Sequence, residues 1–349
     1  MAIPFGQPPA FMGYVGFVRL QAGTIDAHVA SGGQTTHGDY VFRALSADIN
    51  VTQEITKPDL VDSRYDRTAY QLGPKLVDGS VNFPVVYEVN SGSSDTLFEI
   101  MYRYAVTRKS NGLLSDFDLD VKYATTLDAN AATFTYKNCM VNSFNFSVAQ
   151  SDIVQCTVEI VGRTRETVNL TDPANLVCDP GVAGGFGTTR VVTWNDARVQ
   201  LDSVNDNFSI GGEYIRSFNM TINNDVERFF TLNAELFPQA IAPRKREITG
   251  EVVLMGRHNL LGTAALNNQL NCNADGDVSF GYVTPSTGLD CSQTTFNAVL
   301  PNTVFEIETM TLVNDIFEST VNYHSLPAAG INVCDPLLEN IGTANFTYV

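Results

Sequence analysis

Hydrophobic and polar residues alternate most regularly over residues 134–163, FTYKNCMVNSFNFSVAQSDIVQCTVEIVGR. Phe144, Phe146 and Val148 alternate with Asn145 and Ser147, and beyond the polar break at 149–152, Val154, Cys156, Val158 and Ile160 alternate again. A period of two on both sides of a short polar break predicts an antiparallel hairpin with one buried face. Some 160 residues later, 296–325 repeats the shape at the same length: Phe305 and Ile307 alternate with Glu306 and Glu308, and Val313-Asn314-Asp315 breaks the run before Ile316 and Val321. Upstream of the hairpins, Ile49-Asn50-Val51-Thr52 is echoed by Phe218-Asn219-Met220-Thr221, and Val77-Asp78-Gly79-Ser80-Val81 by Ile248-Thr249-Gly250-Glu251-Val252. Measured from Ile49 to Gly79 and from Phe218 to Gly250, the echoes are spaced 30 residues apart in the first half and 32 in the second. Agreement in order, spacing and pattern together predicts a duplicated β domain.

Along the chain, Pro4, Pro8 and Pro9 deny residues 1–13 ladder hydrogen bonds and make them an arm. A first domain follows over 14–168, a Pro- and Gly-rich linker over 169–189, and a second domain over 190–349 with an insertion at 268–293. Strands are expected over 14–28, 40–53, 77–89 and 116–123, and in the second half over 191–201 and 208–222. Ser94-Asp95 caps an expected helix carrying Leu97, Phe98, Ile100, Met101, Tyr104 and Ala105 at helical spacing. A shorter helix is expected over 260–267. Two long loops stand out. Residues 54–75 hold Asp59, Asp62, Arg64, Asp66 and Arg67; residues 223–247 hold Phe229, Phe230, Phe237 and the cluster Arg244-Lys245-Arg246. Loops of such length are commonly binding elements.

Composition narrows the function. Of 349 residues 44% are hydrophobic and only 17% charged, so Asn, Thr, Ser and Gln supply much of the hydrophilic surface, as suits an all-β protein that makes large contacts. The net charge of −17 divides into 13 basic against 20 acidic residues in 1–180 and 8 against 18 in 181–349. Neither half has the cation surplus that gripping phosphates requires. The first twenty residues lack the basic start of a signal peptide, and no stretch has the ~18–20 apolar residues of a spanning helix, which implies no membrane and a cytoplasmic origin with reduced cysteines. No Cys/His ligand spacing suggests zinc. Asp116, Asp118 and Asp120 alternate with Phe117, Leu119 and Val121, which predicts a half-buried strand with an acidic outer face rather than a metal site. Residues 271–282 imitate a calcium loop with oxygen ligands at its first, third, fifth and seventh positions, but Tyr282 stands where a bidentate Glu belongs, and a polar surface turn is the ordinary reading. His28, His37, His258 and His324 neighbour no obvious nucleophile; neither an enzyme nor a cofactor is expected.

The run Ile215-Arg216-Ser217-Phe218-Asn219-Met220-Thr221-Ile222-Asn223-Asn224, with Phe237-Pro238 and then Arg246-Glu247-Ile248-Thr249-Gly250-Glu251-Val252, resembles the strand, stacking loop and return strand of the tail tube proteins of long-tailed bacteriophages. Residues 137–148, ending in Val161-Gly162-Arg163, resemble their C-terminal hairpin. The first loop departs from the pattern in lacking an Asn-Asn-x-x-x-Arg run. The resemblance implies two tandem β-barrel or sandwich domains, each with a short helix, in a virion protein assembled in the host cytoplasm. It implies homotrimeric, pseudo-hexameric rings stacked into a tube that passes phage DNA without binding it specifically, with tape-measure, terminator and baseplate proteins as partners. Glu306, Glu308, Asp116, Asp118 and Asp120 are then lumen-facing candidates. Asp59, Asp62, Arg64, Asp66, Arg67, Phe229, Phe230, Arg244, Lys245 and Arg246 are ring-to-ring candidates. A two-domain β-sandwich binding module, such as an adhesin, decoration or baseplate protein, is the alternative.

Overall fold

The computed structural model describes residues 13–25, 35–42, 44–56, 71–86, 96–109, 111–125, 132–168, 191–201, 215–232, 236–255, 276–283, 295–313 and 316–325. In chain order the elements are β1 (Gly13–Leu20), β2 (Gly23–Ile25), β3 (Thr35–His37), β4 (Tyr40–Phe42), β5 (Ser46–Thr56), β6 (Gln71–Pro84), α1 (Leu97–Val106), β7 (Phe117–Thr125), β8 (Ala132–Ala149), β9 (Gln155–Gly162) and β10 (Thr164–Val168). The second half adds β11 (Ala197–Leu201), β12 (Ile215–Asn223), β13 (Val226–Phe229), β14 (Ala240–Pro243), β15 (Glu247–Met255), β16 (Gly276–Val283), β17 (Thr295–Val313) and β18 (Ile316–Ser325). The protein is all-β with a minor helix, and among the described residues no pairing closes its sheet into a barrel.

One strand joins everything. The 18 residues of β8 pair with β7 and then β12 along one edge, and with β10 and then β9 along the other. Two irregularities let it serve four partners. Opposite β7 the register slips between Tyr136 and Cys139, where Asn138 takes a left-handed φ of 50°. Opposite β9 it slips between Val141 and Ser143, and the buried positions change from Cys139 and Val141 to Phe144, Phe146 and Val148. An extra residue on one strand exchanges which side chains face the core.

The pairings run in the same order in both halves: β5-β6-β9-β8-β7-β1 in the first and β12-β15-β18-β17-β16-β11 in the second. Details coincide as well. Ile49 faces Gly79 and Met220 faces Gly250, each 30 residues apart, so the counterpart of Ile49 is Met220, two residues beyond the Phe218 of the sequence-based echo. The slip between Phe117/Cys139 and Leu119/Tyr136 reappears between Gly276/Thr303 and Val278/Leu300. The halves are not separate bodies in the sheet, because β12 pairs directly with β8.

α1 belongs to the first half but packs across both. Thr96 and Glu99 form a capping box at its start, two positions beyond the Ser94 of the expected cap. Phe98 lies 5.2 Å from Phe146 of β8 and 5.1 Å from Phe296 of β17; Tyr102 lies 5.7 Å from Phe144 and 5.9 Å from Phe280 of β16. A closed set of hydrogen bonds seals the contact: the Thr96 backbone N–H donates to Glu99 Oε2 at 2.8 Å, and the Tyr282 hydroxyl donates to Glu99 Oε1 at 3.0 Å. At the other end the amide of Asn224, fully buried, donates to the carbonyls of Ala105 and Val141.

Several expectations change. The strand expected over 40–53 is two, with β4 pairing β1 and β5 pairing β6, and Leu45 between them is 55% exposed rather than in line with Val41 and Ile49. The long first loop shrinks because β5 runs to Thr56 and β6 begins at Gln71. The supposed insertion 268–293 contains β16, a core strand with Phe280 and Tyr282 buried. Since 276–282 is strand, the calcium-loop pattern does not correspond to a loop there. The helix expected over 260–267, the whole of the linker 169–189, the arm at 1–12 and the tail from 326 lie outside the described residues.

Candidate functional site

The eight strands β5, β6, β9, β8, β12, β15, β18 and β17 form one continuous ladder with an apolar and a polar face. Ile49, Val77, Val158, Ile160, Phe144, Phe146, Phe218, Met220, Val252 and Val321 are buried on the apolar face. Asp48, Asn50, Ser80, Thr157, Glu159, Asn145, Asn219, Thr221, Glu251 and Asn322 alternate with them and are half-buried or exposed. Charge is distributed unevenly here. Over β5, β6, residues 140–149 of β8, β9, β12, β15, β17 and β18 there are nine carboxylates and two cations, Lys75 and Arg216. Arg216 is neutralised by an ion pair with Glu318, and of the carboxylates Asp78 is paired with Arg228 of β13.

The carboxylates follow the pairing. In the first half Asp48 faces Ser80, Ser80 faces Glu159, and Glu159 faces Ser143. At the matching positions of the second half Asn219 faces Glu251, Glu251 faces Asn322, and Asn322 faces Glu306. Each pair of matched positions thus holds one acid and one neutral polar residue, with two acids from each half. Glu306 takes this place by register, whereas Glu308 falls at the slip between Ile307 and Thr309 and has no partner position in the ladder to β18.

Asp116, Asp118 and Asp120 have other surroundings. Asp120 is completely buried: Arg19 Nε donates to it at 2.8 Å, Gln21 Nε2 at 3.0 Å and the Thr135 hydroxyl at 2.5 Å. It therefore does not face solvent in the chain, which corrects the acidic outer face expected for this strand. Arg19 and Gln21 lie 101 and 99 residues away in sequence, so no local pattern could reveal them as its partners. Asp118 accepts the Asn138 backbone N–H and Asp116 accepts the Asn138 amide, both at 2.8 Å, so these two carboxylates hold the irregular turn of β8 in place. Burial alone would raise the pKa of Asp116, but hydrogen bonds from Asn138 and Lys109 outweigh it and hold the carboxyl below its ordinary value.

The loop expected over 223–247 is largely a two-stranded ribbon, β13 with β14. Its base is fastened to the first half. Arg228 donates to the Val77 carbonyl at 3.0 Å and pairs with Asp78, the Lys75 N–H donates to the Leu236 carbonyl at 2.7 Å, and Arg163 donates to the Pro238 carbonyl at 3.0 Å. Val226 and Ile241 pack with Leu114, Met140 and Val161. Beyond this base Phe229 and Phe230 are 47% and 43% exposed, and Leu232 is fully exposed. Arg244 and Lys245 are exposed, with Arg244 paired to Glu227. Arg246 instead turns inward, donating to Asn224 Oδ1 at 2.9 Å and helping to cap α1. Asp59, Asp62, Arg64, Asp66 and Arg67 lie outside the described residues. Among the described residues no group of His, Cys, Asp and Glu is arranged to hold a metal ion, and no helix is long and apolar enough to cross a membrane. The thiols of Cys139 and Cys156 are free and buried, and burial pushes both well above the ordinary thiol pKa.

A family model described as phage tail tube protein matches residues 6–303. No curated protein matches the chain.

Proposed function

The chain belongs to the phage tail tube protein family, a structural and not an enzymatic family whose members assemble into the tube of the virion tail, and from that premise we propose that three copies form each ring and that the polar face of the eight-strand ladder lines a DNA-conducting lumen. The observation that carries this reading is the scarcity of cations in these strands, which hold nine carboxylates beside Lys75 and Arg216 alone. A wall that must let a polyanion slide cannot offer the Lys and Arg that would condense on its phosphates. The tier of Asp48, Glu159, Glu251 and Glu306, two acids per half, gives each half an equal share of the repulsion.

The number of copies follows from the matching halves, which we read as a tandem duplication that makes one chain two adjacent segments of the ring. Following the ladder from Ser46 through Asn82, Thr157 and Asn145 leads to Thr221, whereas the counterpart of Ser46 is Ser217, four residues away. Four residues are about 13 Å along a strand and four strands about 19 Å across, a slant of roughly 35° that is usual for closed barrels. Six such halves bring about 24 strands into the ring, and at that slant the backbone circle is roughly 45 Å across. Side chains still leave a bore that admits duplex DNA. The exposed Phe229, Phe230 and Leu232, with Arg244 and Lys245 nearby, are the contact offered to the next ring; the segment 57–70, placed between β5 and β6 as the ribbon is between β12 and β15, serves the same end. Tape-measure, terminator and baseplate proteins would meet the tube at its bore and ends.

Electron microscopy of concentrated, purified protein tests the reading. Hollow tubes whose end-on views average to threefold symmetry are expected. Monomers or small closed oligomers at all concentrations would instead favour a binding module.

A further inference from the structure

The large hydrophobic side chains that stay exposed among the described residues gather at the two ends of one group of strands, β5, β6 and β9. Ile55 and Leu72 face each other where β5 ends and β6 begins, the end at which the ribbon is fastened, and Phe229, Phe230 and Leu232 of the ribbon join them there. Leu45 and Trp194 lie at the other end. The Leu45 N–H donates to the Asn82 carbonyl, near the end of β6, at 2.7 Å, and residues 191–194 are held against the far ends of β6 and β9. We propose that Trp194, together with Leu45 at the same end, is the seat on which Phe229 and Phe230 of a second copy, stacked head-to-tail, come to rest. The inference rests on the tube reading, since it names the surface that receives the ribbon of the neighbouring ring.

The backbone under Trp194 is fixed by its neighbours. Val192 inserts between the ends of β6 and β9: its N–H donates to the Val85 carbonyl at 2.8 Å, and its carbonyl accepts the Val154 N–H at 2.9 Å. The Trp194 N–H donates to the Asp152 carbonyl at 3.0 Å. Asp196 closes the turn by accepting from the Thr193 N–H at 3.1 Å and the Thr193 hydroxyl at 2.9 Å. Val192 is buried, whereas Trp194, the only tryptophan of the chain, is 42% exposed. A support that is already ordered loses little freedom on binding, and tryptophan is among the side chains that carry most of the affinity of a contact. The ribbon is anchored on the same two strands at their opposite ends, through Arg228 on Val77 and Asp78 of β6, and through Arg163, next to the end of β9, on Pro238. Ribbon and seat therefore lie along one line, and a copy displaced along that line brings its ribbon to the Trp194 of another. Charge agrees, since Asp152 is exposed beside Trp194 and Lys245 is exposed at the ribbon end. A contact between two unlike surfaces repeats from copy to copy without closing, as a stack requires.

The single tryptophan makes the seat directly readable. When the unsubstituted protein assembles into tubes, Trp194 emission should shift to shorter wavelength as the ring is covered. Trp194→Cys with Phe230→Cys, assembled and mildly oxidised, should give linked species larger than trimers on non-reducing gels, because each link passes from one ring to the next. Phe230→Cys with Glu159→Cys, the latter exposed midway along β9, should give none. Tubes that form with unchanged Trp194 emission, or that link no better at the first pair than at the second, overturn the seat while leaving the tube reading intact. Links that stop at trimers place the contact within a ring and overturn it as well. Failure of the unsubstituted chain to form tubes overturns the tube reading and the seat with it. Should the first pair not assemble, Asp152→Cys with Leu232→Cys, two exposed positions beside the contact, is read by the same criteria.

Discussion

Gly79 and Gly250 occupy the same place in the two ladders, and both are required by close approach rather than by backbone angle. A Cβ at Gly79 would lie 2.4 Å from the Asp48 carbonyl oxygen, and one at Gly250 would lie 2.3 Å from both the Asn219 carbonyl oxygen and the Tyr323 ring. Alanine at either position should destabilise the chain by about 1–3 kcal/mol, as overpacking does. Gly38→Ala, where nothing lies within 4 Å, should stay within about 0.5 kcal/mol; urea midpoints distinguish the three. Asp116 allows a prediction in pH. Its folded pKa is lowered, so its contribution to stability is present above the unfolded carboxylate pKa and is lost as pH falls through the folded one. Asn138→Gly keeps the left-handed backbone but removes the amide donor to Asp116. The stability difference between this variant and the unsubstituted chain should be largest near neutrality and shrink below about pH 4, which denaturation at several pH values can measure.

α1 shows how an element can be legible while its place is not. The spacing of Leu97, Phe98, Ile100, Met101, Tyr104 and Ala105 indicates a helix, because helical periodicity is a local property. That its Phe98 and Tyr102 would pack on Phe280 and Phe296 of the other half depends on contacts nearly 200 residues apart in the chain. Removing the Tyr282 hydroxyl tests this joint. Tyr282→Phe takes a donor from the buried Glu99 carboxylate and should cost about 1–3 kcal/mol, read as a lower melting temperature with the helix signal and the second-half strands still unfolding together. The hairpins β8–β9 and β17–β18 were legible with their breaks at 149–152 and 313–315, since alternation and turn residues are adjacent in sequence. β16 was missed because Asn271-Cys272-Asn273-Ala274-Asp275-Gly276-Asp277 resembles loop chemistry. Its signal was present in Val278, Phe280 and Tyr282, which alternate and are buried.

For the whole molecule, the distribution of charge matters more than its total. Replacing Glu159 and Glu251 by Lys would place two cations per chain on a face where Arg216 and, reaching in from the ribbon, Arg228 are each paired with a carboxylate. Such tubes should assemble but retain short duplex DNA, with binding that weakens steeply as salt rises; unsubstituted tubes should retain none. Unchanged DNA retention in the double variant would remove that face from the lumen.

From the sequence alone follow the two-faced strands, the helix, the scarcity of cations and the family likeness, because each resides in neighbouring residues or in plain counts. Only the tertiary structure decided which carboxylates share a surface: it buried Asp120 beneath Arg19, set Asp118 to hold a turn, and aligned Asp48, Glu159 and Glu251 by register. Strand pairing brings together residues that lie far apart along the chain, and a slip of one position sends a side chain to the opposite face.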